Sequence, residues 1–232
     1  MPLPAYCRPE AFDLFRLSVR AAETSQGLFR AAAAITLHAH PEERIDDAER
    51  VIEELAETVQ RRVQSDSDEA RLAHLHDVLF DVVGFRGNTD DYYDPVNSYL
   101  PVVLRRRRGI PITLVLVYKA VAERVGLRVE GVNAPGHFLA AVTCRESAGE
   151  RVLYVDPFYD GSLLTAEEAY ERIRAATGRA MEPDPALLRR ATPQAWLSRM
   201  LVNLQAIFAR QGNERDLYAM EELRALVTEL ER

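Results

Sequence analysis

Between Pro111 and Gly126 the chain carries a helix-length run with almost no polar face. Leu114, Val115, Val117, Tyr118, Val121, Ala122 and Val125 fill it on nearly every side. A helix that is apolar all round is not stable on a surface, so this one is expected to be central and buried. Proline favours the first turn of a helix and glycine its end, and Pro111 and Gly126 stand at those places. Beyond Gly126 the apolar period changes to two. Leu127, Val129 and Gly131-Val132 predict one strand, His137 to Cys144 a second, and Arg151 to Asp156 a third. Glu146-Ser147-Ala148-Gly149-Glu150 reads as the polar hairpin loop joining the last two. A buried helix beside short antiparallel strands predicts an α+β fold.

Helices flank this centre on both sides. Apolar positions from Pro9 to His38 recur at helical intervals, with a break near Ser25-Gln26-Gly27. Pro41 to Val63 reads as a second helix, with Ile45, Ala48, Ile52, Leu55, Ala56 and Val59 as its buried stripe. A third is expected from Ser67 to Val83, stopped at Gly84. Asp94 is placed to cap, and Pro95 to open, a helix that runs to Gly109. After the strands, Thr165 opens another helix and Pro183 to Pro193 forms a linker. Gln194 to Arg232 reads as two helices meeting at Gly212-Asn213. This divides the chain into a helical region (1–84), a helix-and-sheet core (85–182) and a C-terminal helical hairpin (183–232). One such hairpin is similar to a single tetratricopeptide-like unit, whereas a solenoid needs several.

Composition narrows the function. With 47% hydrophobic and 28% charged residues the chain can bury a core, which excludes a disordered or fibrous protein. Its net charge of −7 lacks the positive field that bulk nucleic-acid binding requires, so no nucleic-acid partner is expected. No apolar run reaches the roughly 20 residues that span a bilayer, and no membrane partner is expected. Met1-Pro2-Leu3-Pro4-Ala5 has no basic and apolar leader pattern. Two cysteines, Cys7 and Cys144, make neither a disulfide framework nor a metal-ligand spacing. A cytoplasmic protein without metal or cofactor is the expectation.

The residues that carry chemistry cluster around the strands. If Cys144 pairs with Arg151 across the hairpin, His137 falls opposite residue 158, within two positions of Asp156. An aspartate beside a histidine fixes the imidazole tautomer and stabilises its protonated form, as in nucleophile–base–orienter triads. The plainer account is a buried, hydrogen-bonded histidine beside an aspartate that caps the turn at Pro157. Asn88, Tyr93, Asn97 and Tyr99, with Tyr92 between them, gather polar and aromatic groups just ahead of the central helix. They serve either as loop anchors or as one wall of a cleft at His137. Arg105 to Arg108 follow a helix, where cations balance the C-terminal dipole; a phosphate or carboxylate site is the functional alternative, but four adjacent residues cannot form one tight cluster unless the helix has ended. His38 with His40, and His74 with His76, stand two apart, so neither pair chelates from one helical face, and surface positions are expected.

Several of these pieces fall into one spaced pattern. Gly84-Phe85-Arg86-Gly87-Asn88, Tyr92-Tyr93-Asp94-Pro95, Asn97-Ser98-Tyr99-Leu100, Arg107-Arg108-Gly109-Ile110-Pro111-Ile112-Thr113-Leu114, Gly131 to Leu139 and Val155-Asp156-Pro157-Phe158 together resemble the SirB family. The resemblance covers about residues 70 to 165 closely and the N-terminal helices loosely. It implies a transglutaminase-like, papain-like core: a central helix with Cys at its N-terminus, packed on an antiparallel sheet carrying His and Asp on adjacent strands. His137 and Asp156 fall on the family's His and Asp positions.

The cysteine of true transglutaminases would follow Gly109 by about two positions, where this chain has Pro111. Thiol acyl transfer needs a thiolate activated by a base, and proline supplies none. Thr113, in the first helical turn, is a weak substitute, and Cys7 reaches the site only if the N-terminal tail folds back. The reading is therefore a non-catalytic, binding or regulatory module for a protein partner or small ligand. A hydrolase or acyl transferase using His137 and Asp156 with Thr113, a bound water or Cys7 is the alternative.

Overall fold

The computed structural model describes residues 4–146 and 149–230; Ser147 and Ala148 of the expected hairpin loop, and Met1 to Leu3, lie outside the described residues. The N-terminal region folds as α1 (Pro9–Val19), α2 (Ser25–Ala34), the single turn α3 (Thr36–Ala39), α4 (Ile45–Arg62) and α5 (Asp68–His76). The first break falls at residues 20–24 and not at Ser25-Gln26-Gly27. Thr24 caps α2 by accepting the Gly27 N–H at 3.0 Å, so those three residues are its opening turn. The expected helix to Val83 is α-helical only as far as His76. Asp77–Val82 winds as a wider π-helix, in which the Val83 N–H donates to the carbonyl of Val78 and that of Gly84 to Leu79.

The segment after Asp94 also departs from one continuous helix. Asp94 caps a 3-10 turn (Pro95–Ser98), the chain extends at Tyr99, and α6 (Leu100–Arg106) begins anew. Pro101 explains the break: it has no N–H to continue a ladder and belongs in a first turn. Arg107 then turns left-handed (φ 57°), and Arg108–Gly109 pairs as β2 in parallel with β1 (Arg86–Gly87). The four arginines scatter accordingly. Arg105 pairs with Glu43, Arg106 with Asp94, and Arg107 donates to the carbonyl of Val83.

α7 (Pro111–Arg124) is the central helix, and eleven of its residues are buried. It packs on β3 (Arg128–Val132), β4 (Leu139–Glu146), β5 (Gly149–Asp156) and β6 (Ser162–Leu164), an antiparallel sheet in that order. The register pairs Cys144 with Arg151 and runs inward to Ala140 with Val155. β4 starts at Leu139, two residues later than expected, because Ala134 to His137 make a turn. Alternation along β4 serves two cores. Ala140, Val142 and Cys144 face α7 and the helical region, while Leu139 and Ala141 face α8 (Ala166–Thr177), with Ala169, Tyr170 and Ile173. The chain is thus α+β, with a small antiparallel sheet between helices.

A 3-10 turn (Pro185–Leu188) and a bridge from Val132 to Arg190 lead into α9 (Pro193–Gln211), which returns along α10 (Glu214–Glu229). Gly212 ends α9 left-handed and Asn213 caps α10. Trp196 of α9 lies over Gly131 of β3. A Cβ there would stand 2.3 Å from the indole ring, so only glycine admits it. The main core is continuous from Cys7 to Val227 and takes side chains from all three regions. No described helix is long and apolar enough to cross a membrane.

Candidate functional site

His137 is delivered by a four-residue turn written in the sequence. Pro135 holds the second position, Gly136 takes the left-handed third (φ 68°), and the His137 N–H closes onto the carbonyl of Ala134 at 3.3 Å. These are the residue types that a turn with positive φ at its third position selects. Asp156 is the last residue of β5, and Pro157 follows it into a 3-10 turn (Pro157–Tyr159).

The two side chains meet. His137 Nε2 lies 2.9 Å from Asp156 Oδ2, with His137 buried and Asp156 wholly enclosed. Asp156 divides its oxygens: Oδ1 accepts the Phe158 N–H at 3.2 Å, which caps the turn, and Oδ2 takes His137 together with Arg172 Nε at 3.1 Å. The enclosed carboxylate is therefore answered by a cation and hydrogen bonds, the condition for burying a charge. The Arg172 guanidinium lies 4.0 Å above the Tyr159 ring, and the rings of Phe158 and Tyr159 flank the imidazole. Capping and histidine pairing, set out as alternatives in the sequence, are both performed by Asp156.

The other sequence candidates are spread unevenly. Pro111 lines the same small void as His137, with Tyr92, Ile110, Arg199 and Asn203. Thr113 does not line it: its hydroxyl is fully buried, 2.8 Å from the carbonyl of Asn97 and 2.9 Å from that of Ile110. Asn97 is spent on the loop, donating to the carbonyls of Asp91 and Tyr92, and Asn88 donates to Asn97 Oδ1 and to Asp91. Tyr99 is buried against His40, away from the void. Tyr93 lines a groove of about 300 Å³ that adjoins the void and shares with it Tyr92, Ile110, Gly136, Arg199 and Asn203.

Neither cysteine is near. Cys7 is buried under the N-terminal segment, where the N–H groups of Ala5, Tyr6 and Cys7 converge on the Glu222 carboxylate. Burial, aided by Glu222, pushes its thiol up to about 12, so it stays protonated and unreactive. Cys144 is enclosed on β4. Of the four histidines outside the site, all expected at the surface, His38 and His76 are structural instead. His38 is buried 3.0 Å from Asp216, and His76 lies 2.9 Å from the Tyr118 hydroxyl. No group of three described His, Cys, Asp or Glu side chains could hold a metal ion.

One wall of the groove was not legible as such. Arg199, Asn203, Ala206, Ile207 and Arg210 stand at positions 0, 4, 7, 8 and 11 along α9, one helical face, and close the cleft from the C-terminal hairpin. Their helical spacing is the signal that could have found them.

A central helix whose N-terminus shares a small void with a histidine from the turn before β4, paired with an aspartate at the end of β5, defines a transglutaminase-like frame. Residues 46–202 match the family model described as the transglutaminase-like superfamily, and the chain belongs to that family. It is similar to a UPF0162 protein of Xylella fastidiosa, 40% identical over 60% of this chain and 49% of that one. The mouse F-box only protein 21 is 36% identical over 58% of this chain and 21% of its own. A Vibrio cholerae UPF0162 protein is 24% identical over 79% of this chain and 67% of its own. The chain spans about half the length of the Xylella relative it matches. No solved structure matches it.

Proposed function

We propose that this chain is a binding module on a transglutaminase-like frame of the SirB type, with the His137–Asp156 pair retained and the nucleophile lost. The observation that carries this reading is the place of Pro111. It is the first residue of α7 and lines the void beside His137, where the frame requires a thiol. Thr113 gives its hydroxyl to backbone carbonyls, and both cysteines are buried elsewhere. His137, held from behind by the enclosed Asp156, then stands at the floor of the cleft, with Tyr92 and Tyr93 along its rim. The occupant is a partner protein or small ligand, met in the cytoplasm, and the hairpin of α9 and α10, tetratricopeptide-like in form, supplies a wall. The same region makes up 21% of the mouse F-box relative, as suits a module carried within longer chains.

The intact dyad favours one competing reading, a hydrolase in which His137 activates a water near the α7 N-terminus. His137→Ala separates the two. The module retains its partner with a modest stability loss and shows no turnover before or after the change. Turnover of peptide, ester or amide substrates by the unaltered chain, lost in His137→Ala, would establish the hydrolase instead.

A further inference from the structure

The groove lined by α9 is positively charged within a chain of net charge −7, and no acidic side chain lines it. Arg199 is half-buried at its inner end. Its Nη1 donates to the carbonyl of Ala134 at 2.7 Å and to Asn133 Oδ1, while no carboxylate among the described residues pairs with it. Burial lowers its pKa, a cost that an answering anion removes. Arg210 stands at the outer end, exposed, its guanidinium 4.6 Å from the Tyr93 ring centroid and likewise without a described carboxylate partner. Tyr92 and Tyr93 meet edge to face at 5.3 Å between them.

Arg210 stands eleven positions after Arg199 on one helical face, a rise of about 16 Å at 1.5 Å per residue. One carboxylate does not engage both as they stand. An extended peptide advances about 3.3 Å per residue, so two carboxylates about five positions apart match the spacing. We infer that the cleft takes an extended acidic peptide segment of a partner protein, one carboxylate on Arg199 beside His137 and a second on Arg210, with the chain between them lying along Tyr92 and Tyr93. This rests on the binding-module reading above and gives it a ligand class. Charge-assisted, bidentate pairing to guanidinium supplies the specificity.

The test uses a fluorescein-labelled octapeptide with two glutamates five positions apart, its glutamine twin, and an isomer with the glutamates adjacent. Fluorescence anisotropy gives affinity, and mass spectrometry of the same samples reports cleavage. The spaced glutamate peptide is expected to bind about tenfold or more tightly than either control, an advantage that weakens with salt. Arg210→Glu, on an exposed side chain, abolishes it, and Arg199→Lys, which keeps the charge but not the guanidinium fork, retains part. Equal affinity of the three peptides, no binding by any, or indifference to Arg210→Glu overturns the inference. Preferential binding with His137-dependent cleavage would uphold the ligand class while overturning the non-catalytic reading.

Discussion

Gly87 lies flat against the ring of Phe158. A Cβ built on it would stand 2.6 Å from two ring carbons, closer than any real methyl sits. The contact matters because Phe158 meets His137 edge-on at 6.2 Å and Tyr92 at 5.9 Å between centroids. A two-residue parallel pairing of Arg86–Gly87 with Arg108–Gly109 therefore seats the ring that supports both the dyad and the cleft rim.

Gly87→Ala is expected to push that ring into its neighbours, costing about 1–3 kcal/mol as overpacked cores do. Its Tm should fall and the His137 imidazole resonances should shift, measured by thermal unfolding and NMR. Unchanged Tm and resonances would show that Phe158 does not position His137.

Acid stability should rest on two groups outside the site. Hydrogen bonds from Arg145, with help from Arg71, hold the nearly buried Asp68 carboxyl down to about 2, against an ordinary value near 3.9. Its folded pKa is depressed, so its contribution is complete above about pH 4 and disappears as pH falls toward 2. Burial lowers His76 to about 4. The folded state resists its protonation, so stability declines as pH falls from about 6.5 toward 4.

Urea unfolding across pH 7 to 3 checks both. Asp68→Asn should lose about 1–2 kcal/mol at pH 7, discounted because Arg145 is largely exposed, and should flatten the profile below pH 4. His76→Gln should flatten the stretch from pH 6.5 to 4. Profiles parallel to the unaltered protein in both variants would contradict these assignments.

What the sequence disclosed depended on how many residues carried each signal. The all-apolar run of α7 and the alternation after Gly126 repeat over many positions, and the pairing of Cys144 with Arg151, from which the hairpin arithmetic started, is the register observed. β1, β2 and β6 are two or three residues long, too short to show a period. The π-helix at Asp77–Val82 keeps the apolar spacing of an ordinary helix, so nothing in that spacing distinguishes it. Arg199, Asn203 and Arg210 were hidden for another reason. They interleave with Leu197, Leu201, Leu204 and Phe208, which define the buried face of α9, and a stripe beside a buried face reads as solvated surface until the fold sets Tyr92 and Tyr93 opposite it.

A thiol put back at the N-terminus of α7 would reveal whether the cleft still activates one. Pro111→Cys should place a sulfur at the α7 N-terminus in the void that His137 lines, where a helix dipole and an imidazole lower a thiol's pKa. The native cysteines give little background, since both are buried and Cys7 is held near 12. The rate of iodoacetamide labelling against pH is the measurement. The new thiol is expected to titrate below about 7 and to return to about 8.5 when His137→Ala is added. An introduced thiol with ordinary titration, indifferent to His137→Ala, would contradict the claim that this cleft is a transglutaminase-like site lacking only its nucleophile.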